Sequence, residues 1–401
     1  MDGFKMTDNN TKSTYSDIIF SDNFDRLKMM GVRGKPALRI ETFARWDELL
    51  PYGLITASSN PYFFQKKIIP LDVTYEHEGV QRSLEDYMKE YWVAGLMVLR
   101  GGEIVSEQYR HGINEESRYQ IMSATKSFTS TIIGMALYEG VVKSIDDLAK
   151  DYAPQFEGTA YGEVSIRHLL MMSSGINYFH NKGFPDRQEA YKQVFALGRD
   201  FDDFAAELGN RVPPGTDINY IATDSQVLGA VLRGAYDKPY HTIIKEKLWE
   251  RIGMAGSTFL SRNAPDGHGF GHACLCPRLI EFAHLGQLYL NDGVWDGKRL
   301  LPEDWVRTAG SPQAPFQEPT HRKLGYGYQF WVPPNYNGEF MALGAFGQVL
   351  WIDLKRDAVV AQISGFAKTT QLLDRRGKAD PDPDADMEPP AVMRAIIDAV
   401  I

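Results

Sequence analysis

The chain has 401 residues, 43% hydrophobic and 24% charged, enough to bury a large core and unlike a disordered or fibrous composition. Its net charge of −9 is spread along the chain, with no Lys/Arg-rich stripe to neutralise phosphates, which speaks against nucleic acid as a partner. Two cysteines cannot build a disulfide framework, the opening segment Met1 to Ser16 is polar throughout, and no run has the length of a membrane-spanning helix. These features together predict a cytoplasmic protein with no membrane partner.

Leu96–Arg100 and Glu103–Tyr109 are short β-rich runs on either side of Gly101-Gly102, the pattern of a β-hairpin. Next, Phe128, Ile132, Met135 and Ala136 recur at helical spacing, with Gly140 as a stop. Ile166–Met172 is a second short helix candidate, ending before Ser174-Gly175. Pro213-Pro214-Gly215 breaks the chain, and Val227, Leu228, Val231 and Leu232 then mark one face of another helix. A second hairpin pairs Val349–Asp353 with Ala358–Ile363 around Leu354–Asp357. The acidic, proline-punctuated segment Asp380–Asp386 reads as an exposed loop, and a closing helix runs from Ala391 to Ile401. No internal repeat is found. Strands at both ends around a helical middle predict an α/β lobe of residues 1–140 and 285–401 and a mainly helical lobe of 141–284.

Ser123-Ala124-Thr125-Lys126 places a serine three residues before a lysine, at the start of the first apolar helical run. Positions i and i+3 share a helix face, which brings the amine toward the hydroxyl. The unpaired N–H groups and positive dipole end of the helix favour the negative charge of acyl transfer. Burial beside that positive end would favour a neutral amine, able to take the serine proton. Read on the motif alone, the pair is first of all a serine N-cap followed by a surface lysine.

Pro213–Gly229, with Tyr220 at its centre, resembles the second signature of the family that holds the class C serine β-lactamases, the DD-peptidases and their esterase relatives. Ser165–Gly175 is similar to another hallmark of that family, and Gly325–Trp331 to its late Gly-aromatic-Trp strand, all in matching order. Gly344–Asp353 and Leu301–Arg307 resemble the 6-aminohexanoate-dimer hydrolase branch and neighbouring carboxylesterases. The resemblance implies a β-lactamase-like α/β fold, with an antiparallel sheet flanked by helices, an all-α lobe, and the active site between them.

It also implies Ser123 as nucleophile, Lys126 as base and Tyr220 as the carrier of a proton to the leaving group. The backbone N–H groups of Ser123 and Ala345 would form the oxyanion hole, with Gly344 allowing close approach to substrate. Without the resemblance, Tyr220 is equally a half-buried tyrosine at a strand end, in a chain with 20 tyrosines. Two positions depart from the family pattern. Ala222 stands where an Asn or Ser usually contacts a substrate amide, and Ala342-Leu343-Gly344 lacks the lysine that anchors a β-lactam carboxylate. Both departures argue against a β-lactamase.

Tyr178, Ala222, Cys274, Trp331 and Gly344 are the expected pocket residues. Tyr178, Phe179 and His180 read either as a substrate-side loop or as a surface loop anchored by aromatics. His268–Cys276 holds two histidines and two cysteines at a spacing that fits no zinc motif, so neither metal nor cofactor is expected. The segment falls where the family has a Gly-rich strand. Hydrolysis of a small ester or open-chain amide is the leading expectation. Acyl transfer or amide synthesis on the same acyl-enzyme is a rival, as is a non-catalytic binding protein of the same fold. A homodimer is compatible with all three.

Overall fold

The computed structural model describes residues 35–178, 194, 198–313, 324–366 and 388–401. Phe179, His180 and the acidic segment Asp380–Asp386 lie outside the described residues.

One eight-stranded sheet organises the molecule. Its strands are β1 (Gln65–Lys66), β2 (Val93–Arg100), β3 (Glu103–Tyr109), β4 (Gly325–Tyr326), β5 (Trp331–Val332), β6 (Glu339–Gly344), β7 (Gln348–Asp353) and β8 (Ala358–Ser364). They lie in the order β4-β5-β6-β7-β8-β2-β3-β1, antiparallel except where β1 joins β3. Both predicted hairpins are present. Gly101 and Gly102 turn β2 into β3 with φ of +54° and +76°, values a side chain would resist. The two hairpins then meet edge to edge, with Ala358 opposite Arg100, so the two ends of the chain share one sheet.

The run Val93–Leu99 is buried at every residue, which requires cover on both faces of the sheet. Between β3 and β4 the chain supplies helices α1 (Thr125–Tyr138), α2 (Ile166–Leu170), α3 (Ala222–Tyr236) and α4 (Leu279–Leu290); α5 (Glu388–Ala399) closes it. On one face, α4 crosses β2, β7 and β8, and its Gly286 lies against Val359. On the other, Arg394 of α5 stands over Trp351, which the register pairs with Val360 rather than Val359. The expected lobe boundary at residue 284 therefore falls inside a helix that packs on the sheet.

Helix α5 opens three residues before the expected start. Proline is at home in a first turn, whose N–H groups need no helical acceptor, and Glu388-Pro389-Pro390 uses this. The buried Glu388 carboxylate accepts from Tyr75 Oη at 2.6 Å and Tyr91 Oη at 2.8 Å, with Arg82 at 2.8 Å. Gly325–Trp331, read as one strand, is instead a tight hairpin of two-residue strands. His268–Cys276 is no strand either; its β-pairing is limited to isolated bridges, Leu260 to Leu275 and Arg262 to Gly269.

Candidate active site

Ser123 sits half-buried in a single 3-10 turn, Met122–Ala124, that runs straight into α1. Long-range bonds hold the approach to it: Tyr119 N–H donates to Pro277 O at 2.9 Å and Ile121 N–H to Leu275 O at 3.2 Å. Gln120 then braces the turn from behind, its Oε1 accepting from Met122 N–H at 2.7 Å. Met122 itself has φ of +51°, a left-handed value costly for a non-glycine residue.

Helix α1 is buried on all sides from Thr125 to Ala136, so its amphipathic signal is weak. Its hydroxyls are satisfied in place: Ser127 donates to Gln329 O at 2.7 Å, Ser130 to Tyr328 O at 2.7 Å and Thr129 to Gly271 O at 2.6 Å. Lys126, on the first turn, is 2% exposed. Its Nζ donates to Ser123 Oγ at 3.1 Å and to His272 O at 2.8 Å, and stands 5.1 Å from the centre of the Tyr220 ring. A surface lysine behind a capping serine would look nothing like this.

Tyr220 is delivered by two interlocked loops. Asn219 N–H donates to Met172 O at 2.7 Å, Gly215 N–H to Ser173 O at 2.7 Å and Arg211 N–H to Gly175 O at 2.7 Å. The Ser165–Gly175 and Pro213–Gly229 segments thus form one unit. The Tyr220 ring rests 5.0 Å from Trp331 and edge-on to Tyr326 at 5.8 Å.

Gly344 ends β6 at the third wall. A Cβ there would collide with the carbonyl oxygen of Ile121, so only glycine lets the strand run against the segment entering Ser123. The turn after it, Ala345-Phe346-Gly347, is pinned by Gln348 Nε2, which donates to Ala345 O at 3.2 Å, Phe346 O at 3.1 Å and Ser364 O at 2.8 Å.

The Beta-lactamase family model matches residues 80–379, three quarters of the chain and the whole of this constellation. The chain belongs to the β-lactamase family. Among curated relatives, the 6-aminohexanoate-dimer hydrolase of Paenarthrobacter ureafaciens is 26% identical over 341 residues, spanning 81% of this chain and 84% of that one. A β-lactamase of Pseudomonas fluorescens is 22% identical over 45% of this chain and 50% of its own. Among solved structures, a Bacillus anthracis protein provisionally assigned as a 6-aminohexanoate-dimer hydrolase superposes with a TM-score of 0.78 at 21% identity, covering 92% of this chain and 97% of that one. The hydrolase EstCE1, described as having promiscuous acyltransferase activity, follows at a TM-score of 0.57 and 16% identity, over 79% of this chain and 96% of its own.

Membership makes this β-lactamase-family chain a serine hydrolase by class, and its fold is that of the family. Among the described residues no helix is long and apolar enough to cross a membrane, and no three His, Cys, Asp or Glu side chains converge as a metal cluster. His268 is exposed, whereas the His272 ring is buried edge-on to Phe201 and Phe270.

The expected pocket residues divide. Ala222 opens α3 beside Tyr220, and Trp331 touches the tyrosine directly. Cys274 faces the back of the nucleophile turn: its thiol is buried and accepts from Gln120 Nε2 at 3.2 Å. Burial pushes that thiol up to about 12, so it is protonated at neutral pH. Tyr178 is buried edge-on to Phe204.

Sequence reasoning missed three buried polar residues here: Gln120, Gln329 and Asp224. Asp224 lies on the first turn of α3 and takes a 2.7 Å hydrogen bond from Tyr161 Oη. Desolvation raises its carboxyl to about 7, against the pull of Ser174, Tyr161 and Lys126. Gln120 and Gln329 are polar residues between aromatic or aliphatic neighbours, the one signal the sequence offers, whereas Asp224 lies in the polar run Thr223–Gln226 and carries no such signal.

Proposed function

We propose that this chain hydrolyses small esters or open-chain amides through an acyl-enzyme on Ser123. The observation that carries the reading is the 3.1 Å hydrogen bond from a buried Lys126 amine to Ser123 Oγ, with Tyr220 against the same amine. Lys126, acting as the neutral amine, takes the proton of Ser123 as Oγ attacks the substrate carbonyl. The N–H groups of Ser123 and Ala345 receive the oxyanion, a role supported by the close approach of β6 to the nucleophile turn. Tyr220 returns a proton to the leaving group, and water then releases the acid.

Two features favour esters and open-chain amides over β-lactams. Ala342 is fully buried in β6 and carries no cation, and Ala222 offers no polar group to an acyl amide. The name of the Paenarthrobacter relative gives that protein a dimer of 6-aminohexanoate as substrate, in keeping with an amide. Acyl transfer from the same intermediate is the second reading, and the description of EstCE1 motivates it.

Intact-mass analysis after incubation with a fluorophosphonate tests the reading. One phosphonyl adduct on Ser123 is expected, and Ser123→Ala should lose both the adduct and p-nitrophenyl butyrate hydrolysis while keeping its fold. A folded Ser123→Ala variant with most of its activity would overturn it.

A further inference from the structure

Gln329 sits in the turn between β4 and β5, 2% exposed, with φ of +62°. Glycine would be cheaper in that backbone conformation, so a side chain held there has something to do. Its Nε2 donates to Leu169 O at 2.9 Å and Leu170 O at 3.0 Å, on the last turn of α2. Its Oε1 accepts from Ser225 Oγ at 2.6 Å, on α3. Its own N–H donates to Leu170 O at 3.1 Å, and its carbonyl accepts from Ser127 Oγ at 2.7 Å, on α1.

Three helices therefore converge on one residue, each at a point next to the site. Ser127 follows Lys126, α2 ends before the loop whose Met172 O holds Asn219, and Ser225 lies on the first turns of the helix that Tyr220 leads into. Ser123 and Lys126 are three residues apart on one continuous stretch of 3-10 turn and helix, so their spacing is set locally. Tyr220 comes from a different element, and its distance from Lys126 depends on how α3 docks against α1.

We propose that Gln329 is a positioning residue that locks α3 to α1, fixing Tyr220 against the Lys126–Ser123 pair. The proposal rests on the catalytic reading above. An amide suited to the role donates twice and accepts once. Glutamate cannot donate to the two α2 carbonyls when ionised, and an apolar residue would leave them and Ser225 unpaired.

The experiment compares Gln329→Gly, which keeps the backbone bonds and suits the left-handed φ, with Ser225→Ala, which removes only the bond to α3. Ser130→Ala is the control. It deletes an equally buried bond from α1 to the neighbouring carbonyl, that of Tyr328. Turnover of butyryl p-nitroanilide, whose amine must be protonated to leave, is measured beside the rate of phosphonylation by a fluorophosphonate, whose fluoride leaves unaided. All assays run well below the lowest melting temperature of the set.

Gln329→Gly should lower kcat on the anilide about ten- to hundredfold, as a misplacement on the order of 1 Å does, with KM within about threefold. Phosphonylation should change less than about threefold, Ser225→Ala should follow the same direction, and Ser130→Ala should stay within about twofold on both. Parallel loss of both rates in Gln329→Gly, an unchanged anilide kcat, or equal losses in Ser225→Ala and Ser130→Ala would each refute a positioning role. Failure of the wild-type chain to take the phosphonyl group on Ser123 would refute the catalytic reading instead, so the two failures are distinguishable.

Discussion

Lys126→Met should make the protein more stable while nearly abolishing its activity. The Lys126 side chain is 2% exposed; its Nζ donates to Ser123 Oγ at 3.1 Å and His272 O at 2.8 Å, and its charge acts on the buried Asp224 carboxyl. Burial there is costly both for the charged amine, through lost solvation, and for the neutral one, through the proton it gives up, and an apolar side chain of similar volume removes that cost. Against this, the variant leaves His272 O without its lysine donor, a loss of about 1–3 kcal/mol. The net expectation is a gain of about 1–3 kcal/mol, which at roughly 2.1 cal/mol/K of unfolding entropy per residue is about 1–4 °C in a chain of 401 residues.

Activity should move the other way. Loss of a general base costs about 10²–10⁴-fold, or about 3–5 kcal/mol of transition-state stabilisation. Calorimetry and p-nitrophenyl butyrate hydrolysis on the same preparation give both numbers. Lys126→Arg should be equally inactive, because a guanidinium stays protonated and cannot act as base. A Met variant that melts several degrees lower, or an Arg variant with near-normal turnover, would show that Lys126 is a structural cation.

Tyr220→Phe should slow butyryl p-nitroanilide at least about tenfold more than p-nitrophenyl butyrate, since only the amine must be protonated as it leaves; equal losses would assign the ring a packing role against Trp331. Asp224→Asn should remove a pH dependence of stability. The Asp224 carboxyl is raised to about 7 by burial, so the folded state holds a proton that the unfolded state releases near its ordinary value. The stability gained from that proton is full below about pH 4 and is lost as pH rises through about 7. The denaturation midpoint of wild type should therefore fall relative to Asp224→Asn across that window and run parallel above it; a constant offset from pH 4 to 8 would contradict the assignment. Nitrocefin should be a poorer substrate than p-nitrophenyl butyrate in kcat/KM, because a missing charge-assisted anchor is worth about 1.5–3 kcal/mol, or one to two decades; the reverse order would show that another residue supplies the cation.

The two hairpins were legible because a β-turn is a local event: paired glycines in one, a charged turn in the other, each flanked by β-branched runs. Helix α1 was legible from the spacing of Phe128, Ile132 and Met135, although only the structure shows that it is buried all round. What could not be read is what depends on partners far along the chain. Nothing near Gly325–Trp331 announces that Gln329 must take a left-handed φ to reach Leu169, Leu170 and Ser225. Nor does the sequence around Cys274 announce that its buried thiol accepts from Gln120 Nε2. The closing helix was expected from Ala391, yet it includes Pro389-Pro390, because prolines in a first turn sacrifice no hydrogen bond.

The strained backbone of the molecule adds a further step. Met122, Met172, Cys274, Gln329 and Phe346 are all non-glycine residues with positive φ, between +51° and +70°. Each adjoins a wall of the site: Met122 precedes Ser123, Met172 O holds Asn219, Cys274 sits behind Gln120, Gln329 ties the helices, and Phe346 follows Ala345. At about 1–3 kcal/mol apiece such conformations survive only where surrounding bonds over-determine them. Here those bonds are visible. Gln120 holds both Met122 and Cys274, Gln348 holds the Phe346 carbonyl, and Gln329 is bonded through every polar group it has. Three buried glutamines thus brace the same constellation from three sides. A side-chain amide can donate and accept at once, so one residue can fix two backbone segments without adding charge beside Lys126. Neutral bracing matters at this site. A carboxylate in any of those positions would favour the charged ammonium and blunt the base on which the proposed chemistry depends.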